Sequence, residues 1–424
     1  MAKEQLAIIG SGISGMAAAY FLRDKYSITF FEKNNYFGGH TNTLTVDDEG
    51  EEIFIDSAFM VYNEMTYPLL TKLFKQLGVV TKATDMSFSV QHLPSKLEYT
   101  GTGFNGLFIQ RRNLVNPRHY RMLMDIHRFN QESVEVLNKE EYQSYTIEQY
   151  IKERRYGQDM LHKYLVPMSS AVWSTPPSMM LRFPILTLVR FFKNHGFLGL
   201  TTHYQWRTVE GGSRQYRDQI VSTIKPKIHL NTPIEKIFRE KDKVRVVDHR
   251  GHRTVFDKVI LAAHADESFY MLGDPTDLER NLLARFRYHP NKATLHRDAA
   301  VMPRRKGAWS SWNYRIKEND QGEAQPSTIY HMNSLQQVSQ KNNYFISIND
   351  DNDADPNKII WETTYTHPLY NVEAMRAQQD LPGLNQQNNN TYFCGAYFRY
   401  GFHEDGLMSG MNVAQAISGE EIWS

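Results

Sequence analysis

Ten residues into the chain stands Gly10-Ser-Gly12-Ile-Ser-Gly15, and Glu32 follows Gly12 by 20 positions. An apolar run, Leu6–Ile9, reads as a strand entering this turn. The small residues Met16–Ala19 read as the helix leaving it. Ile28–Phe31 reads as a second strand that delivers Glu32 at its end. Each part has a physical task in a dinucleotide-binding β-α-β unit. Gly10 permits the tight turn, Gly12 lets the backbone approach a pyrophosphate, and Gly15 lets helix and strand pack closely. Helix N–H groups face the anion, and Glu32 accepts from a ribose hydroxyl. A 2′-phosphate beside Glu32 would meet a like charge, which disfavours NADP.

Bulk properties limit the rest. At 424 residues the chain exceeds one ordinary core, so two or three domains are expected. A net charge of +1 supplies no global field toward nucleic acid, and no basic stripe carries a nucleic-acid motif. The strand that opens the chain leaves no room for a secretion signal, so the expected location is cytoplasmic. No apolar run is long enough to span a bilayer. One cysteine, Cys394, allows neither an internal disulfide nor a cysteine metal cage, and no metal is expected. Asp351-Asn-Asp353-Ala-Asp355 lacks the glycine and glutamate of a calcium loop and reads as a solvated turn.

Along the chain, Gly38-Gly39 forms a second glycine turn. Thr43–Val46 and Glu52–Asp56 alternate like a hairpin, and Tyr67–Leu77 reads as a helix stopped by Gly78. Helical stretches follow at 120–137, 146–155 and 160–171. After Gly211-Gly212 come strands near 243–247, 254–256 and 259–263. Tyr392–Ala396 reads as a last strand, and 407–417 as a last helix. The expected fold is α/β: a discontinuous Rossmann-type nucleotide domain (1–80, 207–265 and 386–424) plus a mixed α+β substrate domain (81–206 and 266–385).

The glycine turn at 38–39 and the distant Gly395…Glu404-Asp405-Gly406 ask for a ligand longer than NAD. With Gly10–Gly15, Glu32 and Asp56-Ser57, these segments resemble the flavin amine oxidase superfamily, which includes protoporphyrinogen oxidase and phytoene-type desaturases. Leu295–Asp298, Met302–Arg305, Trp309–Tyr314 and Phe393–Gly410 resemble, within it, bacterial FAD-binding proteins encoded beside cyclopropane fatty acid synthases. A similar unit forms the N-terminal half of plant cyclopropane fatty acid synthases. The resemblance implies noncovalent FAD. Gly10, Ser11, Gly12, Ser14 and Gly15 would hold the pyrophosphate, Glu32 the ribose, and Gly38, Gly39 and Thr41 the ribityl–phosphate side. Ile234 would meet the adenine. Gly395, Glu404, Asp405 and Leu407 would lie by the flavin, with a helix starting near Leu407 aimed at its C2 carbonyl and Asp405 as N-cap.

Substrate-side candidates are Phe59, Tyr62, Trp309, Trp312 and Tyr314. The candidates for a catalytic role are His403, Tyr397, Tyr400 and His264, with His296 and His367 as further polar groups. Taken singly, each aromatic also reads as core packing and each histidine as a hydrogen-bonded structural residue. The lysine that positions water in amine oxidases has only nominal counterparts, Lys292 and Lys306. Five arginines, Arg111, Arg112, Arg118, Arg121 and Arg128, read either as a solvated helix face or as a contact with anionic lipid at the membrane's inner surface. The reading is an FAD-dependent oxidoreductase moving hydride between flavin N5 and an unsaturated or modified fatty acyl chain. The competitors are an amine oxidase or isoprenoid desaturase, and an FAD-binding accessory subunit of a lipid-modifying enzyme such as a cyclopropane fatty acid synthase.

Overall fold

Strand β1 (Glu4–Ile9) is apolar from Leu6 onward and buried on both faces, the pattern of a central parallel strand. In the computed structural model, which describes residues 3–199, 204–350 and 353–423, it pairs with β2 (Tyr26–Phe31) on one side and Lys258–Leu261 on the other. Lys227–His229 and Thr391–Phe393 complete a five-stranded, all-parallel sheet. Its strands therefore come from three separated stretches of chain. Asp351 and Asn352 of the acidic turn and residues 200–203 lie outside the described residues.

Helix α1 (Ile13–Leu22) connects β1 to β2 and is buried along nearly its whole circumference. Its partner is the C-terminal helix, His403–Ser418. Small residues on both helices let them approach. A Cβ on Gly410 would collide with the Ser14 carbonyl oxygen, and one on Gly406 would sit 2.7 Å from Ile13 Cγ2. The C-terminal helix thus presses the turn between β1 and α1 against the sheet.

A three-stranded antiparallel sheet (Ile234–Glu240, Lys243–Asp248, Arg253–Phe256) packs beside the parallel one. The seven-stranded sheet runs Ile359–Leu369, Arg287–His296, Phe345–Ile348, Ala324–His331, Trp312–Glu318, Phe88–His92 and Leu97–Thr100. A helical layer over 117–194 covers its 88–100 end and encloses the largest apolar cluster, with Phe129, Tyr150, Phe183 and Phe192 at its centre.

Several local expectations shift. The helix expected over 120–137 spans Pro117–Glu132, because Asn116 caps it by accepting from the Arg118 N–H and Pro117 needs no donor there. The one expected over 160–171 opens into a π turn at Leu161–Leu165 before Val166–Trp173. Ile234–Glu240, with mixed exposure, is a strand that periodicity did not reveal. The last helix begins at His403, four residues before the expected start. The cause is Asp405, which accepts the Phe402 N–H at 2.9 Å and the Tyr400 N–H at 3.2 Å from inside the first turn. It is thus a residue of that turn and not its N-cap.

Candidate functional site

The β1–α1 turn opens onto a cavity of about 810 Å³. Gly10 takes φ +101°, and a Cβ there would lie 2.6 Å from the Ala262 carbonyl oxygen, so only glycine turns the chain this close to the neighbouring strand. A Cβ on Gly15 would overlap the Gly10 carbonyl oxygen. Gly12 differs: a Cβ there meets nothing within 4 Å. Its open side belongs to the cavity, next to the first turn of α1, which no side chain caps. Uncapped helix N–H groups beside a bare glycine form an anion cradle.

Glu32 is buried and braces this cradle. Its Oε2 accepts from Ser11 N–H (3.0 Å) and Ser11 Oγ (2.6 Å), and its Oε1 from Asn34 N–H (3.0 Å) and Nδ2 (2.9 Å). Ser11 Oγ accepts in turn from Gly38 N–H at 2.9 Å, which ties the second glycine turn to the first. Gly39, at φ +59°, lies against Gly12. Ile234, Thr232 and Pro233 line the same end of the cavity.

From there the cavity passes Gly395 and the start of the C-terminal helix, Gly401 to His403. A Cβ on Gly395 would collide with the Tyr397 ring, so the strand end stays bare because that ring covers it. His403 stacks on Phe59 with ring centroids 3.7 Å apart, and its Nε2 lies 3.0 Å from Tyr216 OH and 3.3 Å from Thr41 Oγ1. Burial pushes its pKa down to about 3, so the ring is neutral. His264 stacks on Tyr288, and its Nδ1 lies 3.2 Å from Thr366 Oγ1. His367 shares Nδ1 with Asn291 Nδ2 at 2.9 Å, and burial holds its pKa at about 4.

Of the residues singled out from the sequence, Gly10, Ser11, Gly12, Ser14, Glu32, Gly39, Ile234 and Gly395 line the cavity, as do Phe59, Trp312, His264, Tyr397, Tyr400 and His403. Gly15, Gly38 and Thr41 stand just behind its wall. Glu404, Asp405 and Leu407, expected by the flavin, do not line the cavity. Glu404 accepts from the Leu69 and Leu70 N–H groups (2.8 and 2.9 Å), so it serves the N-terminus of helix Pro68–Leu77. Burial raises its pKa to about 7 and that of Asp405 to about 6. Leu407 is packed into the core beside Ile13 and Met16.

Three proposed substrate walls are also elsewhere. Tyr62 donates to Thr81 Oγ1 (3.2 Å) among Tyr67 and Phe74. Trp309 donates to the Pro303 carbonyl (2.8 Å) and joins a cluster with Phe345. Tyr314 packs with Ala171 and Ile316. Of the further polar groups, His367 reaches the cavity, whereas His296 is buried against Ser347. Sequence reasoning missed Trp173, Phe191, Tyr288, Tyr365 and Tyr370, which do line it. For Tyr365 and Tyr370 the available signal was the run Tyr365-Thr-His367-Pro-Leu-Tyr370.

FAD fits these residues. Four buried polar atoms of cavity-lining residues, His40 Nε2, Trp312 Nε1, Tyr370 OH and Tyr397 OH, have no hydrogen-bond partner among the described residues. A ligand with a pyrophosphate at one end and a polar ring system at the other suits both the bare Gly12 and these groups. Cys394 does not line the cavity, and burial pushes its thiol up, so no cysteine among the described residues is placed to bond a flavin. Among the described residues no cluster could hold a metal ion and no helix is long and apolar enough to cross a membrane.

Known proteins share this architecture. The model of the family described as flavin containing amine oxidoreductase matches residues 13–311. Cyclohexylamine oxidase from Brevibacterium oxydans IH-35A superposes with a TM-score of 0.68 at 17% identity, covering 98% of this chain and 99% of that one. A putrescine oxidase bound to putrescine gives 0.68 at 13% identity, covering 99% of each chain. The CLA-producing fatty acid isomerase from P. acnes gives 0.65 at 13% identity, covering 96% of this chain and 97% of that one. At these identities the likeness establishes the fold. No curated protein sequence matches the chain.

Proposed function

The chain belongs to the flavin-containing amine oxidoreductase family and is an FAD-dependent oxidoreductase; from that premise we propose that its substrate is hydrophobic and uncharged along its reacting part, an unsaturated or modified fatty acyl chain. One observation carries this reading. The ionised side chains that line the cavity, Glu32, Lys33, Glu235 and Glu267, all belong to the nucleotide end, where Lys33 and Glu267 pair with each other. The other end is lined by Met60, Met86, Val172, Trp173, Phe191 and Trp206, with no Lys, Arg, Asp or Glu among them. Each methylene moved from water into such walls contributes about 0.8 kcal/mol.

Bound FAD supplies the two-electron chemistry, exchanging a hydride at N5. The protein's own part is binding and orientation. The bare Gly12 and the start of α1 hold the pyrophosphate, and Glu32 orients the ribose and the turn together. The N–H groups of the C-terminal helix favour negative charge at the cavity's other end. Trp173 is fixed there by donating from Nε1 to the Tyr400 carbonyl at 3.2 Å. His403, neutral and held between Phe59, Tyr216 and Thr41, offers a polar edge in that wall without a charge.

An amine substrate finds less support. Lys292 pairs with Glu362 at 2.6 Å on the seven-stranded sheet, and Lys306 is an exposed residue of a short 3-10 turn. Neither lines the cavity. The choice of an acyl chain among hydrophobic substrates rests on the likeness of Leu295–Asp298 and Phe393–Gly410 to flavoproteins encoded beside cyclopropane fatty acid synthases. Anaerobic titration of the purified protein tests the reading. Unsaturated or cyclopropane fatty acyl lipids should bleach the visible flavin band. Bleaching by primary amines, with none by acyl lipids, would overturn it.

A further inference from the structure

We propose that the exposed face built from residues 96–124 docks on an anionic phospholipid bilayer. Between residues 101 and 131 the chain carries five arginines and one carboxylate, Asp125. Asp125 is buried and accepts the Gly157 N–H at 3.0 Å, so the outward charge of the segment is all positive. Arg111, Arg112, Arg118 and Arg121 are exposed. Between them stand large apolar side chains that the fold leaves in water: Phe104 is 61% exposed, Val115 85% and Met124 64%.

Arg111 and Arg112 are held by neutral acceptors and keep their full charge. Arg111 donates to Asn105 Oδ1 (3.1 Å) and the Phe108 carbonyl (3.4 Å), and Arg112 donates to the Lys96 carbonyl and to Gln110 Oε1. Arg118 meets the Asp159 carboxylate at 2.8 Å, and the half-buried Arg128 pairs with Asp125 at 3.5 Å and Glu132 at 4.0 Å. Lys96 and the exposed turn Arg304-Arg305-Lys306 extend the basic edge, with Arg305 paired to the buried Glu98 at 3.4 Å, since Arg304 N–H donates to Glu98 and Gly307 abuts Ile109.

Apolar tips set beside the exposed charges of Arg111 and Arg112 match one kind of surface. A bilayer with anionic headgroups takes the guanidinium groups at the phosphate level and the apolar tips just beneath. A polyanion alone would leave Phe104 and Val115 in water. None of residues 96–124 lines the cavity, so this surface stands whether or not the proposed substrate is right.

The test is flotation of the FAD-loaded full chain with vesicles of phosphatidylcholine, alone or mixed with phosphatidylglycerol. Binding should require phosphatidylglycerol and fall steeply with added salt. Arg111→Gln and Arg112→Gln should each lower partitioning about fivefold, and Phe104→Ser with Val115→Ser about tenfold or more. These side chains are exposed, so visible flavin absorbance confirms that each variant is folded. Equal binding to both vesicle types, or binding indifferent to all four substitutions, would overturn the proposal. So would a concentration-dependent dimer abolished by Val115→Ser in a protein that ignores vesicles, which would assign the face to a second copy of the chain.

Discussion

Replacing Gly12 and Gly15 separately distinguishes a glycine that serves the ligand from one that serves the fold. At Gly12 the backbone sits at φ −65°, ψ 178°, open to any residue, and a Cβ meets nothing within 4 Å. Alanine loses part of the N-cap preference, about 0.5–1 kcal/mol. It regains about 0.4–1 kcal/mol by restricting the unfolded chain. The net effect on the ligand-free fold is therefore close to zero. With FAD bound, the same methyl group stands where the pyrophosphate must approach. An overpacked contact of that kind costs about 1–3 kcal/mol, and 2 kcal/mol is roughly thirtyfold in Kd.

At Gly15 the added Cβ overlaps the Gly10 carbonyl oxygen and lies 3.1 Å from Ile8 Cγ2 and 3.2 Å from Ala262 Cβ. Backbone cannot swing aside as a side chain can, so the helix must move off the sheet at about 1–3 kcal/mol or more. Differential scanning fluorimetry of the apoprotein and FAD titration by flavin fluorescence quenching measure the two effects. Gly12→Ala should keep the apoprotein's Tm and weaken FAD. Gly15→Ala should lower the Tm. Loss of apoprotein stability in Gly12→Ala with unchanged FAD affinity would refute the assignment of Gly12's open side to the cofactor.

Glu32→Gln keeps the side chain's shape but must turn an amide NH2 toward either Ser11 or Asn34, both of which donate to it now. Hydrogen bonds to charged groups are worth about 1.5–3 kcal/mol against about 1 for neutral ones, so FAD affinity should fall at least tenfold by equilibrium titration. His296 accepts the Asp298 N–H at Nδ1 (3.1 Å) and donates from Nε2 to Ser347 Oγ (2.8 Å), a neutral imidazole whose pKa burial lowers to about 4. The unfolded chain, with an ordinary histidine pKa near 6.5, binds the extra proton first. Stability from this group is therefore complete above pH ~6.5 and lost as pH falls toward ~4. Urea melts at several pH values should show a shallower slope over that range in His296→Gln.

How much the chain announced depended on distance along it. Gly10–Gly15, Glu32 and the flanking strands lie within 30 residues of one another, and fixed spacing with local turn chemistry specifies the β-α-β unit. The Gly78 helix stop was legible for the same reason: the residue sits in the left-handed conformation and its N–H caps the preceding carbonyls. Tyr314 did not reach the cavity because an aromatic residue in a strand carries no mark of which face of the sheet its neighbours fill, and Trp309 stands before that strand, after a short 3-10 turn. Asp405 was misread as an N-cap because only the backward reach of its carboxylate reveals that the helix has already begun.

By itself, then, the sequence determined a Rossmann-type turn, an acidic residue at the end of its second strand, and a second glycine turn beside the first. Those features are local, set by backbone sterics and spacing. Only the tertiary structure decided what surrounds the reacting end. It brought Phe59, Trp173, Phe191, Trp312, Tyr365 and His403 together from across the chain, sent Glu404 to cap another helix, and kept ionised side chains at the nucleotide end. Those outcomes are set by which side chains fill the space between two sheets and a helical layer, and packing of that kind leaves no periodic trace in the chain.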